Sequence, residues 1–357
     1  MLRSQRRLRK NISVNGMKHL IKCVISSACF ASFISVSSAK AQDKPELVAE
    51  IIDQVAFPET IAPGNYSGIT YIGGDEYAVV SDKSRADGFF IFHLEIDSVT
   101  GQILSASANE FRSADRPSRD QEGITFVARD TTIFISGEGD NRIMEYKYAN
   151  GERTGRELII PDSLRISAPN YGFEALAYSP SRGMMWTMTE STLPIDGLPA
   201  SPSNKVANKL RLLCFDDSLN LVAQYPYIMD EPTVKSSSAS IYAMGVSEIC
   251  SLSDGRLLVL EREFFVPKMK VGAFVNCKIY VIDPDDKSFE SSLNKTLLLS
   301  FKTKFSGVKK DLANFEGMTL GPRLADGRQL LVLISDSQNQ YKKKLKDWFM
   351  TIAIEGL

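Results

Sequence analysis

Histidine is nearly missing from this chain: there are two in 357 residues, His19 and His93. His19 lies in a segment read below as removed on maturation, which leaves one imidazole. That argues against a His-rich zinc centre, a HExxH helix and a Ser-His-Asp triad. Cysteine is sparse as well. Past residue 41 the chain has Cys214, Cys250 and Cys277, each in an apolar run, so buried free thiols are expected; the spacing leaves one disulfide plus an odd thiol as the alternative. Beyond the N-terminal region no run is long and apolar enough to span a bilayer. A sustained 3.6-residue apolar period is also lacking, which removes amphipathic helices from the plan. No linker divides the chain. At 43% hydrophobic and 24% charged it has the composition of one ordinary globular domain that folds without staples.

What is present begins with an address. Residues 1–41 hold eight basic residues and no acid, with an apolar stretch over 23–36 and then Ala39-Lys40-Ala41. This is the order of a cleaved secretory signal, and the apolar stretch falls short of the roughly 20 residues that cross a bilayer. Residues 1–41 are therefore read as a signal peptide, starting at Met1 or Met17, and 42–357 as a periplasmic or secreted domain. Cleavage takes eight of the 42 basic residues and none of the 43 acids, leaving a net charge of −9. Such a domain, expected to be a monomer, suits cations and is a poor partner for nucleic acid.

The mature part repeats itself. Ser67-Gly68-Ile69-Thr70-Tyr71, Glu122-Gly123-Ile124-Thr125-Phe126, Glu174-Ala175-Leu176-Ala177-Tyr178, Glu248-Ile249-Cys250-Ser251-Leu252 and Glu316-Gly317-Met318-Thr319-Leu320 each open a unit. Each is followed by a β-rich strand ending in an acid and then a third strand. Lead residues are spaced 55, 52, 74 and 68 apart. Units of three or four strands at this spacing mark a β-propeller. Fourth strands are expected at 102–107, 156–160, 220–227 and 296–301, and the fifth unit borrows residues 47–56, which closes the ring and removes a free sheet edge. The count gives an all-β propeller of five blades, with six as the alternative. The Ser- and Lys-rich stretches 191–209, 230–242 and 264–276 are expected to be long loops on one face, and Lys342-Lys343-Lys344 a solvated loop.

Acids recur at equivalent places: Glu122, Glu174, Glu248 and Glu316 lead, and Asp82, Glu138, Glu190, Glu261 and Asp336 close the second strands. Propeller symmetry should gather them at one mouth of the central channel. Crowded like charges need shared protons or a cation. Hard oxygens without histidine favour Ca²⁺, with Mg²⁺ possible, over zinc, and no organic cofactor is expected. A ring of turn-forming carboxylates with a purely structural role is the alternative. Asp82, Glu122, Glu174, Glu248, Glu261, Glu316 and Asp336 are the metal-ligand candidates. Glu138 and Glu190 are the spare general bases, and Lys83, Arg262 and Asn314 the groups to hold a small anionic substrate. Lys83, Arg85, Arg142, Arg211 and Arg262 all lie near acid positions, and pairing with those acids is the favoured reading for each beside anion binding; Gly137-Glu138-Gly139-Asp140-Asn141 is a fragment of a calcium loop without the full spacing.

Gly68-Ile69-Thr70 with Ser81-Asp82, Gln121-Glu122-Gly123-Ile124, Asn170-Tyr171-Gly172-Phe173-Glu174, Leu258-Val259-Leu260-Glu261-Arg262 and Asn314-Phe315-Glu316-Gly317-Met318 with Ser335-Asp336 resemble the phytase-like (esterase-like activity of phytase) family. The resemblance runs from about Tyr66 to the C-terminus. It implies a β-propeller and phosphoester or ester hydrolysis; with the carboxylate ring the expectation is metal-dependent hydrolysis of phosphoesters, ester or lactone hydrolysis and a non-enzymatic ligand- or protein-binding propeller being the alternatives. Two departures from the family pattern stand out: Tyr171 where Arg is common, and Ser337-Gln338-Asn339 where a further Asp is usual.

Overall fold

The computed structural model describes residues 44–357 except 167–170, 205, 235–238, 270, 287, 289–290, 306–309 and 342–344. The expected signal peptide, Asn170 and the Lys342-Lys343-Lys344 loop lie outside the described residues. Among the described residues, twenty strands form five four-stranded antiparallel sheets. Blade 1 is β1's neighbour in the ring and comprises β2 (Tyr66–Gly73), β3 (Glu76–Ser81), β4 (Ala86–Ile96) and β5 (Ile103–Pro117), β1 being Val48–Ala56. Blade 2 comprises β6 (Gln121–Val127), β7 (Thr132–Gly137), β8 (Arg142–Lys147) and β9 (Arg153–Glu157). Blade 3 comprises β10 (Phe173–Ser179), β11 (Met184–Thr189), β12 (Lys209–Phe215) and β13 (Leu221–Ile228). Blade 4 comprises β14 (Ala239–Ser251), β15 (Leu257–Pro267), β16 (Ala273–Ile282) and β17 (Lys295–Phe305). Blade 5 comprises β18 (Asn314–Arg323), β19 (Gln329–Asp336) and β20 (Trp348–Glu355), completed by β1.

The fifth sheet takes its outer strand from the start of the domain, with β1 and β20 antiparallel from Val48↔Glu355 to Ala56↔Trp348. Five blades and closure by the N-terminal strand are thus as expected. The inner strands β2, β6, β10, β14 and β18 neighbour one another around the axis. A buried apolar core fills each gap between adjacent blades, for example Val80, Ile91, Ile124 and Ile135 between blades 1 and 2, or Trp186, Leu212, Val246 and Val259 between blades 3 and 4. The three cysteines are free and buried, and burial pushes the thiols of Cys250 and Cys277 up to about 12.

Glycine sets how tightly the inner strands meet. A Cβ on Gly123 would stand 2.0 Å from the Glu174 carbonyl oxygen of the next blade. The Glu-Gly pair therefore combines a chamber acid with a site of backbone contact between blades.

Two expectations about blade edges are corrected. The fourth strand of blade 2 is Arg153–Glu157, earlier than 156–160, because Leu158 and Ile160 leave the sheet to pack into the core between blades 2 and 3. Parts of the supposed loops 230–242 and 264–276 are strand. In blades 1 to 3 the ladder between the two inner strands reaches Tyr66↔Ser81, Gln121↔Gly137 and Phe173↔Thr189. In blade 4 it runs on past Val246↔Glu261 to Ala239↔Pro267. Blade 4 therefore carries an arm about 20 Å long beyond its neighbours on the mouth side.

Candidate functional site

Each inner strand carries a bulge just where its lead residue sits. The register skips Ser67 in β2, Glu122 and Gly123 in β6, Glu174 in β10, Ser247 in β14 and Glu316 in β18. A bulged residue is freed from the ladder and re-aimed, which turns these side chains toward the axis. The sequence alignment of blade 4 is therefore one residue out. Ser247, not Glu248, is the counterpart of Glu122, and Arg262, not Glu261, is the counterpart of Asp82, Glu138, Glu190 and Asp336. In a strand a one-residue slip reverses the face.

Glu248 and Glu261 are accordingly removed from the site. Glu248 accepts the backbone N–H groups of Leu176 at 2.9 Å and Ile249 at 3.0 Å, stitching blade 3 to blade 4. Glu261 faces the other side of β15, where Tyr227 Oη and Lys295 Nζ each donate to it at 2.6 Å. Among the other candidates, Arg142 pairs with Glu157 and Arg211 with Asp196. Asp140, from the supposed calcium-loop fragment, is held by both Nε and Nη2 of Arg119 at 2.8 and 2.7 Å.

The remaining candidates converge. Asp82, Glu122, Glu138, Glu174, Glu190, Glu316 and Asp336 line one chamber of about 660 Å³ with Lys83, Arg262 and Asn314. Arg262 is the organising group. Its Nη2 donates to Glu190 Oε1 at 2.8 Å and lies 3.0 Å from Glu316 Oε1, while Nη1 donates to Asn314 Oδ1 at 3.0 Å. Asn314 in turn donates to Glu316 at 2.8 Å. Nε of Arg262 is buried without a partner. Lys83 pairs with Asp82 Oδ2 at 2.9 Å, and Asp82 Oδ1 is buried and unpartnered. Glu138 is half-buried and accepts the Gly172 N–H at 3.1 Å with one oxygen.

Seven acids against two cations make proton affinity high. Burial, reinforced by the neighbouring Glu174, Glu316, Asp82 and Glu138, holds the Glu122 carboxyl well above the usual range. Burial does the same for Glu174 and Glu316, against the pull of Arg262. Asp336 is pushed up to about 6, chiefly by burial, although Gln338 hydrogen-bonds it. Glu138, Glu190 and Asp82 are raised by burial too. Burial opposes the charge on Arg262, but Glu316, Glu190 and Glu174 outweigh it and raise its pKa.

The opposite side of the chamber is apolar. Strand alternation puts Arg262, Phe264 and Val266 on one face of β15, paired with Gly245, Ala243 and Ile241 of β14. All of these except Gly245 line the chamber, joined by Phe305, Leu312 and Leu345. Gly245 has no room for a side chain, since a Cβ there would lie 2.3 Å from Glu190 Cγ. Ile241, Phe264 and Val266 of this wall fall in the stretches 230–242 and 264–276, whose composition points to loops.

Residues 61–338 match the family described as Phytase-like, esterase-like activity of phytase. The chain belongs to this family. Of the two places where the sequence departs from the phytase-like pattern, Tyr171 lines the chamber, and so does Gln338 of the Ser337-Gln338-Asn339 stretch. No curated protein matches the chain. Among solved structures it is similar to the aldose sugar dehydrogenase of Streptomyces coelicolor, at 13% identity over 87% of this chain and 100% of that one, TM-score 0.43. It is likewise similar to the endo-arabinase of Bacteroides thetaiotaomicron, at 9% identity over 82% and 94%, TM-score 0.46.

Carboxylate oxygens are the right donor type for Ca²⁺ or Mg²⁺. Among the described residues, however, no three acids converge as a ligand cluster. Glu190 and Glu316 are already turned onto Arg262, and Asp82 onto Lys83. Three of the seven chamber acids thus already answer side-chain cations rather than standing free to share a divalent ion.

Proposed function

We propose that this phytase-like protein is an exported hydrolase of uncharged carboxylic esters or lactones, acting in the central chamber. The observation that carries this reading is the pairing of an acid-rich floor with an apolar wall in one cavity. Carboxyl groups whose environments push their proton affinities apart supply both a base and an acid for hydrolysis.

Glu138 is the general base. It is the most solvent-open of the chamber glutamates, one oxygen is steadied by the Gly172 N–H, and the nearby Lys83 charge favours its ionised form. It takes a proton from water as that water attacks the ester carbonyl carbon. Charge develops on the carbonyl oxygen, and Lys83 and Arg262 are the cations placed to stabilise it. Glu122 or Glu174, whose hold on a proton is strengthened by burial, returns a proton to the departing alkoxide. Glu190, bound to Arg262, holds that cation in place and is not the base.

The phosphoester reading draws on the family's description. A phosphomonoester dianion entering this chamber meets seven acids and two already paired cations, so it would have to bring its own neutralising ions. The test is release of p-nitrophenol from p-nitrophenyl acetate by the mature protein and by Glu138→Gln. Turnover that Glu138→Gln lowers by roughly 10²–10⁴-fold supports the assignment. Equal rates in both proteins contradict it. Export rests on the N-terminal charge and apolar order; among the described residues no helix is long and apolar enough to cross a membrane.

A further inference from the structure

We propose that the arm of blade 4 is a binding wall for an apolar acyl chain, so that the ester taken by the chamber is amphipathic. This rests on the ester-hydrolase reading of the same chamber and names its substrate class. Three observations support it. The arm is specific to blade 4: the other blades end their inner ladders near the mouth, while this one continues to Ala239↔Pro267. Its chamber face is apolar, with Ile241, Ala243, Phe264 and Val266 in one continuous patch. The same face of β15 carries Arg262 two residues before Phe264, so the patch and the floor cation are one strand step apart.

A ligand lying along β15 therefore meets a cation at the floor and hydrocarbon above it. Arg262 has one buried N–H, on Nε, with no partner. A carbonyl oxygen is an acceptor that fits there, and a chain of methylenes is what Phe264 and Ala243 can cover. Ile241, 54% exposed, marks the open end of the wall, where a longer chain gains its last contacts. Val266 is already buried in the core between blades 4 and 5, so the surface open to a chain is that of Phe264, Ala243 and Ile241.

The test is a series of p-nitrophenyl esters from acetate to octanoate, assayed with the wild type, Phe264→Ala and Ile241→Ser. Folding of each variant is checked by its melting temperature, and Ile241→Ser changes an exposed side chain, so it retains the fold even if Phe264→Ala does not. In parallel, binding of the non-hydrolysable ketone 2-decanone is measured by displacement of Nile red. The wild type should gain roughly threefold to fourfold in kcat/KM per added methylene until the wall is filled. Ile241→Ser should cut the octanoate-to-acetate ratio several-fold, and Phe264→Ala more.

A flat series, or ratios that neither substitution alters, overturns the wall while leaving ester hydrolysis standing. Absence of turnover on every ester, with 2-decanone binding weakened by both substitutions, removes the hydrolase reading and keeps the wall as a ligand site. A dimer on a sizing column that Ile241→Ser dissociates would assign the wall to a second copy of the chain and overturn the proposal.

Discussion

Arg262 and Glu190 meet at 2.8 Å with both side chains almost wholly buried, and the same Nη2 lies 3.0 Å from Glu316. One guanidinium thus balances two acids of the chamber floor. Removing it leaves buried carboxylates unpaired, a loss of about 3–5 kcal/mol for a pair broken in this way. Arg262→Met should lower stability by that order at pH 8 and by less at pH 5, where protons replace the missing charge. Urea titrations at the two pH values measure it.

Asp336 gives the pH dependence its sign. Its folded pKa is raised to about 6 from an ordinary 3.8, so the folded state holds its proton where the unfolded chain has lost it. The stability it contributes is complete below the unfolded value and is lost as pH rises through 6. Asp336→Asn keeps a neutral group at every pH. The variant should therefore gain on the wild type between pH 4 and pH 7, by about 1–3 kcal/mol. Glu122, Glu174 and Glu316 act in the same direction, their contributions being lost at the higher pH where each ionises.

Glu138 and the blade-4 glutamates should separate activity from stability. Glu138→Gln should reduce turnover while leaving the melting temperature unchanged or higher. Glu248→Ala strands the Leu176 N–H and should cost about 1–3 kcal/mol. Glu261→Ala leaves Lys295 without one of its two acids and should destabilise similarly. Chevron or urea melts beside ester assays distinguish the two groups.

Two side-chain cations in the floor carry a prediction about metal. Ester hydrolysis should change less than twofold on adding EDTA or millimolar Ca²⁺. A tenfold response to either would show that a divalent ion enters the chamber and displaces the Arg262 or Lys83 pairs.

The ring itself was legible because strands, turns and interblade apolar faces repeat, and repetition is read from sequence without knowing any contact. Blade 4 was misaligned because Ser247-Glu248 and Glu261-Arg262 each offer two polar neighbours. The bulge follows the backbone register, which is independent of which of the two polar neighbours is the acid. The wall was hidden for a related reason. Ile241 and Ala243 follow a serine-rich run, and Phe264 and Val266 precede a lysine-rich one, so local composition read as loop where the ladder in fact continues. That Arg262 pairs with acids is expected from its place among them. Its hold on Glu190, Glu316 and Asn314 depends on two other strands, β18 and the end of β11, and no spacing reveals which acids it meets.

The most direct measurement compares kcat/KM for p-nitrophenyl butyrate and p-nitrophenyl phosphate, which share a leaving group and differ in charge, using the mature protein in EDTA. A chamber with seven acids and an apolar wall should turn over the butyrate at least a hundredfold better, about 2.7 kcal/mol in transition-state terms. Preference for the phosphate under those conditions would contradict the assignment of this chamber to neutral esters.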